Sequence, residues 1–214
     1  MRFIFSLILI LSFATPFLSS AQENTSIKLS APRIDAGKPL MATLKERKSS
    51  RSFDPNKELP VETLSDLLWA ASGVNREDSG RLTAPTACNW QEIDVYVAMK
   101  NGLFLYIPKT HSLSPVSSSD IRQYTGLQPF VKTAPIVLIY VADFEKMGKD
   151  TTAQNFYSAT DTGFISQNVY LFCASEGLAT VVLGYVDKTK LAKVMSLKPQ
   201  QKIILTQPVG YPGK

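Results

Sequence analysis

The sequence predicts an α+β fold, a mainly antiparallel central sheet flanked by helices, on three observations. From Ile93 the residues alternate, with Ile93, Val95, Val97 and Met99 on one side and Asp94, Tyr96 and Ala98 on the other. Asn101-Gly102 and a second apolar stretch from Leu103 to Ile107 follow, the pattern of a hairpin with a type I′ turn. Pro135 then introduces Ile136-Val137-Leu138-Ile139-Tyr140-Val141, an apolar run suited to a strand buried on both faces in mid-sheet. Finally, helical and strand patterns do not alternate strictly, and no glycine-rich phosphate loop follows any strand, which excludes a Rossmann arrangement.

The remaining elements follow in order. Met1-Arg2 and the apolar stretch from Phe3 to Phe17 read as a signal peptide. The run is shorter than the roughly 20 residues of a membrane span and ends in small residues at Ser19 and Ala21 that suit a signal peptidase. The expected organisation is a signal peptide over residues 1–21, a polar leader arm over 22–39 and one folded domain over 40–214. An exported protein follows, periplasmic or secreted, with no stable membrane anchor after cleavage. The spacing predicts a short helix over Leu40 to Lys48 with Leu40 and Leu44 on one face. Pro60 opens an amphipathic helix carrying Val61, Leu64, Leu67, Leu68 and Ala71, and Gly73 ends it. Ser118 to Leu127 is expected to be helical. Asp161 is expected to cap a long helix on which Phe164, Asn168, Leu171, Phe172 and Ser175 share a face, closed by Gly177. Leu178 to Leu183 reads as a strand, Asp187 to Met195 as a helix and Lys202 to Thr206 as the last strand.

Composition narrows the function classes. The formal charge is +5, but the Lys and Arg residues are scattered rather than striped, which argues against nucleic acid and for an anionic small ligand. Two cysteines, Cys88 and Cys173, are too few for a disulfide framework; no CxxC and no metal spacing occurs, so no metal is expected and free thiols are. The single histidine, His111, lies in a Ser/Pro-rich stretch without a patterned partner for acid-base work.

Two stretches can carry chemistry. Arg47-Lys48-Ser49-Ser50-Arg51-Ser52 places three cations and three hydroxyls where the first helix ends. Such a set can hold a phosphate, because the arginine fork matches phosphate oxygens; basic residues at a helix C-terminus also favour the helix dipole while facing solvent. The loop Thr83-Ala84-Pro85-Thr86-Ala87-Cys88-Asn89-Trp90-Gln91 precedes the hairpin and carries an amide that both donates and accepts. The pyrimidine edge of an isoalloxazine presents the complementary pattern, although Asn89 can equally satisfy its own backbone in a turn.

In combination these stretches are more specific. Arg47-Lys48-Ser49 with Arg51 and Phe53, then Pro85 to Asn89, Gln128 to Asp143, Asp161 to Gly177, Leu183-Gly184-Tyr185 and the closing Pro208-Val209-Gly210-Tyr211-Pro212 resemble, in this order, the FMN-dependent nitroreductase family. Among its branches the chain is most similar to the SagB-type dehydrogenase-like group. The resemblance implies the nitroreductase-like fold and a homodimer with FMN at the subunit interface. It implies that Arg47 and Ser49 contact the FMN phosphate and ribityl chain, with Lys48 contributing through its backbone and stem. Arg51 would approach the N1 and O2 edge, where a cation stabilises the reduced flavin. Pro85, Thr86 and Asn89 would bond and cover the ring, partly from the second subunit, and Leu183 and Gly184 would turn a backbone N–H toward N5. Hydride arrives at and leaves from N5, so no catalytic side chain is implied.

Two departures stand out. Leu183 replaces the Glu that many family members carry before the glycine, and beyond the last strand only Lys214 remains where relatives place a basic pair. The implied activity is hydride transfer from a small-molecule donor to an acceptor such as a nitroaromatic or quinone. The alternatives are a SagB-like dehydrogenase or oxidase acting on a peptide or small molecule, and a flavin-binding protein without turnover.

Overall fold

The computed structural model describes residues 25–214, so the expected signal peptide lies outside the described residues. In chain order the elements are β1 (Ile27–Lys28), α1 (Leu40–Glu46), α2 (Val61–Ser72), β2 (Val74–Arg76), β3 (Arg81–Leu82), β4 (Ile93–Met99), β5 (Gly102–Ile107) and β6 (Ser112–Ser117). They continue with β7 (Ile136–Asp143), α3 (Thr151–Glu176), β8 (Ala179–Thr180), α4 (Lys188–Val194) and β9 (Gln201–Gly210). Seven strands form one sheet in the order β1-β6-β5-β4-β7-β9-β8, and every neighbouring pair is antiparallel. The remaining β2 and β3 form a separate two-stranded ribbon.

Alternation along the strands builds two cores, one on each face of this sheet. Leu138 and Tyr140 of β7, with Val95 and Val97 of β4, pack with Leu64, Leu67 and Leu68 of α2 and Ile165, Val169 and Cys173 of α3. Val137, Ile139 and Val141, with Tyr96 and Ala98, face Leu191 of α4 and the segment holding Ile121, Val131 and Ala134. The unbroken apolar run of β7 follows, since both of its sides are buried. A buried polar bridge ties the layers together: Tyr140 donates to Gln207 Oε1 at 2.5 Å, and Gln207 Nε2 donates to the Ser166 carbonyl of α3 at 3.4 Å.

The arm is tied down along its described length. Ser26 donates to the Leu113 carbonyl, Leu29 N to the His111 carbonyl, and Arg33 meets the Asp66 carboxylate through its backbone N–H and guanidinium. His111 belongs to this clasp. Its Nδ1 lies 2.8 Å from the Tyr106 hydroxyl and its Nε2 2.7 Å from Ser65 Oγ, which donates to the Ser30 carbonyl at 2.6 Å. With Ser65 Oγ–H committed to that carbonyl, the ring donates through Nε2 and accepts at Nδ1, and burial, which lowers the histidine pKa, favours this neutral form.

Several expectations need correction. The long helix starts at Thr151, where the Asp150 carboxylate caps it by accepting from Thr152 N; Asp161 sits buried inside it. Its core face is Thr162, Ile165, Ser166, Val169 and Cys173, while Phe164 is exposed. α1 ends at Glu46 rather than Lys48, and its Leu40 and Leu44 face outward. Ser118 to Leu127 holds only a 3₁₀ turn at Arg122–Tyr124, and the expected strand from Leu178 shrinks to β8 plus one bridge between Leu183 and Thr206. The hairpin turn is Lys100-Asn101, since Met99 pairs with Gly102, and the positive φ falls on Gly102 at 144° rather than on both central residues as type I′ requires.

Candidate functional site

The basic stretch leaves α1 at Arg47, the C-cap residue, and runs along the C-terminal half of α3. Tyr170 of α3 organises it. The Arg47 guanidinium lies over the Tyr170 ring, 5.3 Å from its centroid, and the Tyr170 hydroxyl is 2.9 Å from Ser49 Oγ. The same hydroxyl accepts from Val182 N at 2.9 Å, while Ser50 N donates to the Thr180 carbonyl. One side chain therefore joins Arg47 and Ser49 to the segment that ends in Leu183 and Gly184.

Within that segment the two predicted residues differ. Leu183 N donates to the Thr206 carbonyl at 2.8 Å, and Thr206 N returns a bond to the Leu183 carbonyl, so the Leu183 N–H is committed to the sheet and its side chain is buried. The expectation of a Leu183 N–H for a flavin is thereby corrected: its partner strand takes it. Gly184 is exposed, and its N–H meets no acceptor among the described residues. Nearby, Leu127 N bonds the Tyr185 carbonyl, and the buried Oε1 of Gln128 has no partner.

Phe53 bridges Pro212 in antiparallel register and Gly213 N donates to the Ser52 carbonyl, so the C-terminal segment runs back beside the basic stretch. Arg51 and Lys48 are exposed, and Lys48 lines a cleft of about 340 Å³ with Glu46, Tyr170 and Pro212. A roomier cleft of about 1110 Å³ lies under the arm, beside Trp69 and His111, and meets the second predicted stretch at Gln91.

The second predicted stretch lies elsewhere on α3. Pro85 and Asn89 are exposed and Thr86 half-buried, in a tight loop where Cys88, Asn89 and Gln91 all adopt left-handed φ of 51°, 53° and 48°. Thr86 Oγ1 accepts from Gln91 N, Asn89 Oδ1 accepts from Gln91 Nε2, and Ala87 N donates to Asp161 Oδ2 at 2.9 Å. Asp161 and Tyr170 are nine residues apart. At about 100° per residue that is half a turn beyond two full turns, and about 13 Å along the axis. The loop and the basic stretch thus occupy opposite faces of one helix. The structure brings Arg47, Ser49 and Gly184 together but leaves Pro85, Thr86 and Asn89 apart from them within a single chain. Sequence reasoning missed Tyr170 and Asp161, the two residues that anchor the halves. Asp161 reads as a helix cap and Tyr170 as one more residue of a helical pattern, and no spacing marks the partner of either.

Comparison with known proteins makes this α+β fold specific. The nitroreductase family model matches residues 44–211, and the chain belongs to the nitroreductase family. A nitroreductase-like protein of Methanocaldococcus jannaschii is 30% identical over 196 residues, covering 86% of this chain and 96% of its own. The crystal structure of a nitroreductase-like protein from Ralstonia eutropha superposes with a TM-score of 0.84 at 42% identity, covering 88% of this chain and 90% of that one. A Desulfovibrio desulfuricans structure described in complex with FMN shares the fold, with a TM-score of 0.61 at 18% identity over 84% of this chain and 89% of its own.

Proposed function

We propose that this chain is an FMN-dependent oxidoreductase that works as a homodimer, each site being built from Arg47, Lys48, Ser49, Arg51 and Gly184 of one subunit and Pro85, Thr86 and Asn89 of the other. The observation that carries this reading is the placement of those two sets on opposite faces of α3, which stops one chain from closing them around one ligand. The face between them is apolar and uncovered: Leu40 and Met41 of α1 are 61% and 75% exposed, and Phe156 and Phe164 of α3 are 63% and 43% exposed. Side chains of this size left open on adjacent helices mark an association surface.

The residues present fit FMN. Arg47 and Ser49 are held by Tyr170 as a preformed cation and hydroxyl pair for a phosphate, and charge-assisted bonds of this kind are roughly twice as strong as neutral ones. The unpaired Gly184 N–H offers a donor to a ring acceptor, and the exposed Asn89 amide offers both donor and acceptor to a pyrimidine edge. Bound there, FMN would supply two-electron transfer between a small-molecule donor and an acceptor such as a nitroaromatic or quinone. The protein's part is to bind, to orient and, through Arg51 and Lys214, to keep the site positive. The basic and apolar N-terminus supports export of the chain.

The test is the visible spectrum of the purified chain, with any released chromophore identified by mass. A yellow protein holding about one FMN per chain, with occupancy lost in Arg47→Ala and Arg51→Ala while the far-ultraviolet dichroism persists, is expected. Unchanged occupancy in both variants refutes the phosphate assignment, and a colourless protein that takes up no added FMN refutes the cofactor.

A further inference from the structure

The loop that carries Thr86 and Asn89 holds three non-glycine residues, Cys88, Asn89 and Gln91, in the left-handed region. Such conformations are costly for L side chains and persist only where the surroundings impose them. Glu92, the residue between this loop and β4, is fully buried, yet no donor among the described residues reaches either of its carboxyl oxygens. The Asp161 side chain, 2% exposed, lies within hydrogen-bonding reach of it and accepts from Ala87 N at 2.9 Å. Two buried carboxyls in contact repel if both are ionised, and bond strongly if one keeps its proton.

We infer that Glu92 and Asp161 share one proton as an acid and carboxylate pair, and that this pair is the positioning clamp that holds the Thr86 to Gln91 turn against α3. Glu92 carries the proton and donates to Asp161. Asp161 accepts that bond and the Ala87 N–H together, so the turn is pinned near its start, at Ala87, by Asp161 and just past its end by Glu92, whose carbonyl accepts from Asp143 N at 2.9 Å. The other charged groups nearby are Lys146, after β7, and Asp94 of β4. Lys146 pairs with Asp94 at 2.7 Å and also reaches the Gln91 carbonyl, so it only partly offsets the negative charge at Glu92. Burial first, then Asp161, pushes the Glu92 pKa up to about 7 from an ordinary carboxyl value of 4.5. The sign follows. The folded state holds this proton more tightly than the unfolded chain, so the stability it contributes is full below about pH 4.5 and is lost as pH rises through about 7. The consequence for ligand binding rests on the proposed role of the loop in covering FMN; the shared proton itself does not.

The experiment is a pH titration from 5 to 9 of the chain with labelled glutamate carboxyls, read by NMR with the Ala87 amide, with and without FMN. Glu92→Gln serves as a variant that keeps a donor but cannot titrate. Expected are a Glu92 midpoint near neutral, an Ala87 amide shift that follows it, and FMN binding weakened about tenfold per pH unit above that midpoint, with both pH effects absent in Glu92→Gln. A Glu92 midpoint near 4.5, or an Ala87 amide shift that persists unchanged in Glu92→Gln, overturns the clamp. A protein that shows the coupled titration but takes up no FMN supports the clamp and defeats only the cofactor reading.

Discussion

Replacing Tyr170 by Phe removes one oxygen and leaves the ring, which makes it a sharp test of the joint at the centre of the site. The lost hydroxyl accepts from Val182 N at 2.9 Å and lies 2.9 Å from Ser49 Oγ. An unpaired backbone N–H costs about 1–3 kcal/mol, and because Val182 is only half-buried, water recovers part of it, so about 1–1.5 kcal/mol is expected. For a chain of this size each kcal/mol lowers Tm by about 2–4 °C, which gives a fall of roughly 2–6 °C. Arg47 keeps its place over the ring, but Ser49 and the Gly184 segment lose their common anchor, and Kd for FMN is expected to rise about tenfold, equivalent to about 1.4 kcal/mol. Tyr170→Leu also removes the cation–π contact, about 0.5–1 kcal/mol at an exposed site, and should bind FMN less well again. Thermal unfolding by circular dichroism and titration of FMN fluorescence measure both quantities. A Phe variant with wild-type Tm and wild-type Kd refutes the idea that Tyr170 joins the two segments.

Two further outcomes test the packing and the assembly. A Cβ added at Gly210 would stand 2.4 Å from Pro135 Cδ and 2.9 Å from its Cγ, in a rigid ring at the head of β7, so Gly210→Ala should cost about 1–3 kcal/mol by thermal unfolding; an unshifted Tm would show that the strand ends can separate freely. Met41→Glu puts a charge on the most exposed large apolar side chain of α1, and light scattering should show a wild-type dimer dissociating in this variant; a variant that stays dimeric removes α1 from the interface.

Much of the sheet was legible because its signals are local. The alternation from Ile93 and the apolar run from Ile136 became β4 and β7 at the centre of an antiparallel sheet, with their odd and even residues sorted into the two cores. The helices were less legible where their apolar residues do not face the core. In α1 and α3 the exposed residues include Leu40, Met41, Phe156 and Phe164, so a shared apolar face there does not mark the side turned to the core. The start of α3 was misplaced for a related reason: Asp150 and Asp161 are both plausible caps by type, and only the fold shows that Asp150 caps while Asp161 is buried against the loop. The hairpin turn shifted by one residue because Gly102 takes the positive φ after the turn rather than within it.

By itself the sequence determined the fold class, the position of the central strands and the family to which the chain belongs, since periodicity, turn residues and ordered motifs are written along the chain. Only the tertiary structure decided how the candidate site is put together. It committed the Leu183 N–H to Thr206, left that of Gly184 open, gave Tyr170 to the basic stretch and Asp161 to the loop, and set those anchors on opposite faces of one helix. The physical reason is that a hydrogen bond between residues far apart in sequence depends on where the packed layers bring their backbones, and hydrophobic burial fixes that placement for the whole chain at once.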